Sequence, residues 1–315
     1  MIRALVLAAA LLLPWAVEAQ APPPPKLLVV ISVDQLSTNL FDEFRPQFSS
    51  GLARIAAGAV FRNGTSATTQ QQSLGGLMKA HWTSSRTVAV SGEVARNPIP
   101  GPNPDQHWFW AGTRFQSDLA NARAPAVVLK VNAAVAAALA QPRSSLEAPS
   151  FCQSRPHKSQ LARAAGDALA LSASPELDGD TLALAAGLVD EMQLGRRADP
   201  DMLAIELSAT GNVIRSYGAG SEETCLQLTE LDREIGDFLS LLDGRGIDYA
   251  VALDGIAPGQ VPIAFWRPGF SGASINTAAD TEDMIPTLAS LIDLPLPAGL
   301  PGRCLEGTPA FCPER

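Results

Sequence analysis

Two acidic residues and one polar segment stand where three apolar runs of the sequence end. Asp34 closes the run at residues 26–34, the segment 208–211 follows residues 201–207, and Asp254 follows residues 248–253. Such runs are typical of strands buried on both faces of a parallel sheet. Ligands in these folds bind beyond the carboxyl ends of the strands, so we expect these polar groups at one sheet edge. Carboxylates alone could bind Mg²⁺ or Ca²⁺ weakly there.

Four cysteines offer a second kind of chemistry. Cys152, Cys225, Cys304 and Cys312 are even in number, which in an oxidising compartment predicts two disulfides. We expect Cys304 to pair with Cys312, because they would close a short loop, and this leaves Cys152 for Cys225. A zinc site is a weak alternative, because the sequence has no C-x-x-C and no histidine near a cysteine pair.

Imidazole groups are scarce. The chain has three histidines, His81, His107 and His157, and none follows residue 157. No carboxylate is spaced with them in a ligand pattern, so we interpret them as surface or hydrogen-bonded histidines and not as metal ligands.

The elements that must position these groups alternate between strand and helix, which predicts an α/β/α sandwich with a mainly parallel central sheet. We expect strands at residues 26–34, 59–61, 201–207, 248–253 and 261–266, and helices at residues 48–57, 73–84, 127–140, 159–170, 180–194, 221–243 and 282–294. An irregular excursion around residues 92–125 carries the aromatic residues 108–110. We interpret these aromatics as packing a loop onto the body, with a ligand groove as the alternative.

The first 19 residues have the pattern of an export signal, with Arg3 before an uncharged apolar stretch too short to span a bilayer comfortably. We expect cleavage after Ala19; cleavage after Ala21 and an uncleaved anchor are the alternatives. Residues 20–26 would form a proline-rich linker, and residues 27–315 a single domain. The mature protein would then be periplasmic or extracellular, with no membrane span.

Composition narrows the class of protein further. The chain has 315 residues, of which 46% are hydrophobic, and a formal net charge of −9 without any basic run. This is enough apolar material for a core, and the charge excludes nucleic acid as an expected partner.

Three stretches resemble the alkaline phosphatase superfamily, in its secreted alkaline phosphatase and type I phosphodiesterase/nucleotide pyrophosphatase branch. Residues 28–35 (LVVISVDQ) are similar to the opening strand of the family, which ends in V-D-Q. Residues 200–210 (PDMLAIELSAT), followed by LDRE at 231–234, are similar to the family's D-L-L-A-V-S-x-S-A-T strand and the helix after it. Residues 261–266 (VPIAFW) and 285–291 (IPTLASL) are similar to its V-P-I-L-F and A-P-T-L-A-x-L segments.

The resemblance implies a fold, a reaction and a ligand set. In this family two zinc ions, held by imidazole nitrogen and carboxylate oxygen, flank a Thr or Ser nucleophile during phosphoryl transfer. Asp34 matches the first acidic ligand, and Asp254 matches a later one. The family's D-Y-V-G-H ligand pair falls on residues 211–215 (GNVIR), so Gly211 and Arg215 replace the acid and the imidazole. Gly255 stands where a ligand histidine follows the later acid. We therefore expect no cofactor, with weak binding of a divalent metal as the alternative.

The nucleophile turn, T-x-P-G-H in the family, falls within residues 70–76, where either Gln72 or Ser73 takes the nucleophile position. Ser73 would more simply cap a helix. Arg215 allows two interpretations, a salt bridge to Asp34 or Asp254, which we favour, and a remnant anion-binding pocket.

We therefore expect a degenerate family member with little or no phosphate-ester hydrolysis, which retains at most a pocket for an anion or a partner. Phosphate or a phosphorylated small molecule is the expected ligand class. The first alternative is an active phosphomonoesterase or phosphodiesterase that uses Ser73 with Asp34 and Asp254. The second is an interaction protein that keeps only the scaffold.

Overall fold

The computed structural model describes residues 23–65, 73–93, 104–120, 123–272, 274–305 and 312. The expected export signal and the first part of the linker lie outside these residues. Within the described ranges, none of the helices has the length and apolar character that a bilayer span requires.

The elements alternate along the chain as the sequence predicts. The strands are β1 (Leu27–Asp34), β2 (Ala59–Thr65), β3 (Thr87–Ser91), β4 (Gln106–Trp110), β5 (Phe115–Gln116), β6 (Asp201–Leu207), β7 (Tyr249–Ile256), β8 (Gln260–Trp266) and β9 (Ser274–Asp280). The helices are α1 (Thr38–Phe44), α2 (Gly51–Ala56), α3 (Leu74–His81), α4 (Ala126–Leu139), α5 (Ala168–Ser172), α6 (Pro175–Glu191), α7 (Ala209–Tyr217), α8 (Glu222–Gly244) and α9 (Met284–Leu291).

The strands form one sheet in the order β5-β4-β3-β6-β1-β7-β8-β2-β9. β1 lies in the middle and runs parallel to both neighbours, β6 and β7. The β3–β4, β3–β6 and β2–β9 pairs are also parallel. The β4–β5, β7–β8 and β2–β8 pairs are antiparallel. The sheet is therefore mostly parallel, as expected.

Two apolar cores cover the two faces of the sheet. Leu27, Val29 and Ile31 of β1 belong to one core, and Leu28 and Val30 belong to the other. All eight residues of β1 are buried, which explains why this strand reads as a continuous apolar run. Helices α2, α6, α7 and α8 pack on the first face, while α3 and α9 pack on the second. This layering confirms the α/β/α architecture.

Several local expectations were wrong. The aromatic residues 108–110 form the end of β4, not a loop, and Trp108 and Trp110 pack into the first core. Residues 159–167 form turns, and only the short α5 follows them, so the helix expected at 159–170 is absent from this described segment. β3 and β9 were not expected. Residues 94–103 and 121–122 of the expected excursion lie outside the described part of the chain.

The segment 231–234 of α8 contains a buried acid beside the exposed Arg233. Asp232 is buried, and its carboxylate accepts hydrogen bonds from the backbone N–H groups of Ser49, Ser50, Leu52 and Ala53 at 2.7–3.2 Å. It thereby satisfies the free N–H groups at the start of α2. α8 and α2 are joined through this one carboxylate.

Both expected disulfides are present. Cys152 is bonded to Cys225 with their Cα atoms 5.7 Å apart, and Cys304 is bonded to Cys312 with a Cα separation of 5.9 Å. The first ties the segment before α5 to the first turn of α8.

Candidate functional site

The candidate site lies at the carboxyl ends of the three central strands. Asp34 is the last residue of β1, and Ser208, which follows β6, is the residue before the first turn of α7. Asp254 lies inside β7, which continues to Ile256, so this acid is two residues short of the strand end where the sequence placed it. In the sheet register Ser32 lies between Glu206 and Asp254 on the neighbouring strands.

An ion pair lies at the last residue of β1. Arg215 in the last turn of α7 donates from Nη1 to Oδ2 of Asp34 at 2.9 Å. The Asp34 residue is 2% exposed, whereas half of the Arg215 side chain is exposed. Nη2 of Arg215 also donates to Oδ1 of Asn212 at 2.8 Å, and Asn212 Nδ2 donates to the carbonyl of Ser172 at 3.0 Å. The guanidinium is thus held at two points over the buried carboxylate.

Gly211 faces the same carboxylate from one turn earlier in α7. Residues four apart lie on one helix face, so Gly211 and Arg215 both approach Asp34. A Cβ atom at Gly211 would lie 1.9 Å from Oδ2 of Asp34. The carboxylate therefore fills the space that any side chain at position 211 would need.

Position 255 likewise has no room for a side chain. A Cβ atom there would lie 1.9 Å from the carbonyl oxygen of Leu36. Leu36 comes so close because Gln35, directly after β1, has a left-handed backbone (φ 60°) and donates its N–H to the carbonyl of Ile256 at 2.7 Å. A histidine at position 255 would require this backbone turn to move.

Asp254 is held by its neighbour in the sheet. Ser32 Oγ donates to Oδ1 of Asp254 at 2.7 Å, and both side chains are buried. Burial raises the pKa of Asp254 to about 7, and the hydrogen bond from Ser32 acts in the opposite direction. The carboxyl group is therefore enclosed by the sheet and does not lie on an open surface.

Ser73 caps α3. Its Oγ accepts the backbone N–H of Gly76 at 3.2 Å, and the residue is buried. Gln72, the other candidate for the nucleophile position, lies outside the described residues. The described contacts of Ser73 join it to its own helix and not to Asp34, Asp254 or Arg215.

The described residues do not fit a zinc pair. They bring together no group of three or more His, Cys, Asp and Glu side chains. Oδ2 of Asp34 is already bonded to a guanidinium, whose charge opposes a cation at the same place. Oδ1 of Asp34 is buried without a hydrogen-bond partner in the described part of the chain, but one carboxylate oxygen is too few donors for zinc.

The histidines lie elsewhere, and two of them have carboxylate neighbours that their spacing in the sequence did not indicate. His107 Nδ1 is 2.8 Å from Oδ1 of Asp118, and His157 Nδ1 is 3.8 Å from Oε2 of Glu222.

Sequence reasoning missed the buried residues that hold the first turn of α7 in place. Asp178 in α6 is fully buried, and its Oδ1 accepts the N–H of Ala209 at 3.0 Å while its Oδ2 accepts Nε2 of Gln227 at 2.9 Å. Burial raises the pKa of Asp178 to about 7. Asp178 therefore fixes the start of the helix that carries Gly211 and Arg215. An acid among the apolar residues of α6 was the available signal.

Comparison with known proteins identifies relatives of this chain. The family model described as type I phosphodiesterase/nucleotide pyrophosphatase matches residues 79–253. The alkaline phosphatase PhoK of Sphingomonas sp. is 32% identical over 304 residues, which covers 73% of this chain and 54% of that protein. The alkaline phosphatase PhoD of Zymomonas mobilis is 28% identical over 312 residues, covering 75% and 54%. The chain thus spans about half the length of these two relatives.

Among solved structures, that of the alkaline phosphatase PafA is similar with a TM-score of 0.75 and 14% sequence identity. The match covers 90% of this chain and 98% of that one. At this level of identity the likeness supports the fold alone.

Proposed function

The chain belongs to the type I phosphodiesterase/nucleotide pyrophosphatase family of the alkaline phosphatase superfamily, and from this premise we propose that it is a non-hydrolytic member. In this proposal the Asp34–Arg215 ion pair takes the place of a metal centre. The site then binds a phosphate-type anion through Arg215 and does not cleave it. The 2.9 Å contact between Arg215 Nη1 and Asp34 Oδ2 is the observation that carries the proposal.

Three features of the strand edge support the loss of hydrolysis. Position 211 has no room for an acid, position 255 has no room for an imidazole, and position 215 carries a fixed positive charge. A serine hydroxyl also needs a base or a metal to become a nucleophile. Ser73 Oγ faces the start of its own helix, where it accepts a backbone N–H.

The guanidinium supports an anion as the ligand. Arg215 donates one N–H to Asp34 and one to Asn212, so among the described residues its Nε and one proton of each Nη have no acceptor. Guanidinium groups bind phosphate oxygens in a bidentate manner and keep their charge at all physiological pH values. Half of the side chain is exposed, so a small anion can reach it from solvent.

Two disulfides fit an oxidising compartment, which supports export as part of the same proposal.

A hydrolysis assay tests the catalytic half of the proposal. The purified protein is incubated at alkaline pH with p-nitrophenyl phosphate and with bis-p-nitrophenyl phosphate, with and without added Zn²⁺, and its metal content is measured. We expect no turnover above the buffer and substoichiometric zinc. Turnover that disappears in Ser73→Ala would instead establish the active alternative, in which Ser73 acts with Asp34 and Asp254.

A melting experiment tests the binding half. Phosphate should raise Tm, and the rise should grow with the logarithm of its concentration above Kd, compared with chloride at the same ionic strength. Arg215→Ala should lose this response. Arg233→Ala is the matched control, because Arg233 is an exposed arginine on α8 that makes ion pairs away from the site. No phosphate effect in the wild-type protein would favour the scaffold-only alternative.

A further inference from the structure

A cavity of about 450 Å³ lies apart from the strand edge, between the segment before α5 and the first turn of α8. Its polar lining residues are Ser145, Glu147, Gln153, His157, Gln160 and Glu222. None of them belongs to the site described above. The volume is within the range of small-molecule sites in proteins.

The walls of this cavity are fixed by several bonds. Gln153 follows Cys152, whose disulfide to Cys225 ties the segment to α8. Oε1 of Glu223 accepts the backbone N–H groups of Lys158, Ser159 and Gln160 at 2.7, 2.8 and 3.1 Å. Burial acts to raise the pKa of Glu223, but backbone hydrogen bonds, these three among them, outweigh it and hold the pKa below its ordinary value. The cavity is therefore formed before any ligand arrives, which reduces the cost of binding.

Glu222 is the buried charged group of the lining. The residue is 1% exposed, and its Oε1 accepts Nε2 of Gln160 at 2.7 Å. Oε2 lies 3.8 Å from Nδ1 of His157, which is beyond hydrogen-bond distance and is an ion pair only when the imidazole is protonated. Within the described residues, Oε2 accepts no hydrogen bond. Among the described residues only one oxygen of this carboxylate therefore has a hydrogen-bond donor, and the second is available to accept hydrogen bonds from a ligand.

The charges around the cavity are unequal. Glu222 and Glu147 contribute two carboxylates, and the described lining contains no lysine or arginine. His157 is the one titratable base among these residues, and more than half of its side chain is exposed. The lining therefore attracts a positively charged molecule and repels an anion such as phosphate.

We propose that this cavity binds a small organic cation with a primary ammonium or guanidinium group, which donates N–H groups to Oε2 of Glu222. The ligand displaces His157 from its position beside the carboxylate. Gln153 and Glu147 line the remaining space and contact the rest of the molecule. This site is independent of the anion proposed for Arg215.

Calorimetric titration with putrescine tests the proposal. 1,4-Butanediol is the neutral molecule of nearly the same shape, and tetramethylammonium is a cation without N–H groups. We expect putrescine to bind and the other two to bind at least about tenfold more weakly, because a hydrogen bond to a charged group is worth about that factor or more. Equal binding of butanediol would overturn the cation assignment. A lack of heat with both putrescine and agmatine at millimolar concentration would overturn the site.

Variants locate the ligand. Glu222→Gln keeps the size of the side chain and removes its charge, so putrescine should bind at least about tenfold more weakly. Glu230→Gln on the same helix, outside the cavity, should bind as the wild type does. Unchanged affinity in Glu222→Gln would overturn the proposal.

A second variant keeps the test decisive if Glu222→Gln does not fold. Ser145 is exposed at the rim, so Ser145→Trp should fill the entrance, abolish binding and leave Tm unchanged. Wild-type affinity in a folded Ser145→Trp protein would place the ligand elsewhere and overturn the assignment.

Discussion

Replacing Arg215 by alanine leaves a buried carboxylate without its cation. Asp34 is 2% exposed, and one of its oxygens already has no hydrogen-bond partner among the described residues. Removing one member of a fully buried ion pair costs about 3–5 kcal/mol. Arg215 is half exposed, so water screens the pair and the cost should be nearer to that of one charge-assisted hydrogen bond. We expect a loss of about 2 kcal/mol in the free energy of unfolding.

A double-mutant cycle separates this contact from other effects of the substitution. The free energy of unfolding is measured by urea titration for the wild type, Arg215→Ala, Asp34→Asn and the double variant. We expect a coupling energy of about 1–2 kcal/mol, because the neutral amide introduced by Asp34→Asn needs no cation. Arg233→Ala removes ion pairs of an exposed guanidinium with Glu230 and Asp237 and a longer one, 3.5 Å, with Glu234, and should cost less than about 1 kcal/mol. A coupling energy near zero would refute the view that this ion pair has replaced a metal as the charge partner of Asp34.

Three further substitutions test the surrounding structure by the same urea titrations. Asp232→Ala removes the acceptor of four backbone N–H groups and should cost about 2–4 kcal/mol, whereas Asp237→Ala on the exposed face of α8 should change stability by about 0.5 kcal/mol or less. Gly255→Ala should lower the free energy of unfolding by about 1–3 kcal/mol, because the new Cβ meets a backbone carbonyl. A Cβ at Gly244 meets no atom, so Gly244→Ala should be neutral or stabilising. Equal costs of the two substitutions would contradict the conclusion that position 255 has no room for a side chain. Burial raises the pKa of Glu234 to about 9 from an ordinary 4.5, so the folded state retains a proton that the unfolded state releases, and stability should fall as pH rises between these values. Glu234→Gln should reduce that slope by up to about 1.4 kcal/mol per pH unit, and an unchanged slope would show that Glu234 is ionised in the folded protein.

Local signals in the sequence were sufficient for the central elements. The apolar run at residues 201–207 is β6, and the helix expected at 221–243 is α8 (Glu222–Gly244), with Ser221 as its N-cap. Edge elements carry weaker signals. β9 (Ser274–Asp280) is mostly exposed and polar, so it has neither an apolar run nor a clear alternation. The strand pattern of β4 was not recognised in the sequence because several prolines precede it.

The residue types of the site could be predicted from the sequence, but the distances and contacts between them could not. The loss of an acid at Gly211 and of an imidazole at Arg215 could be read from the resemblance, and the structure contains the Arg215–Asp34 salt bridge that we favoured. Side chains are excluded at positions 211 and 255 by atoms of residues that are far away in the sequence. The same is true of Asp178, because its contacts with Ala209 and Gln227 appear only when three helices are packed.

The middle position of β1 affects how the chain reaches its native state. Asp34 and Arg215 are 181 positions apart, and Ser32 and Asp254 are 222 apart, so the contacts beside β1 close very long loops. Non-local pairing of this kind slows folding. Until residues 249–256 are available, β1 has an open edge and an apolar surface that favour aggregation. Synthesis as far as β7 must therefore precede completion of the sheet around β1.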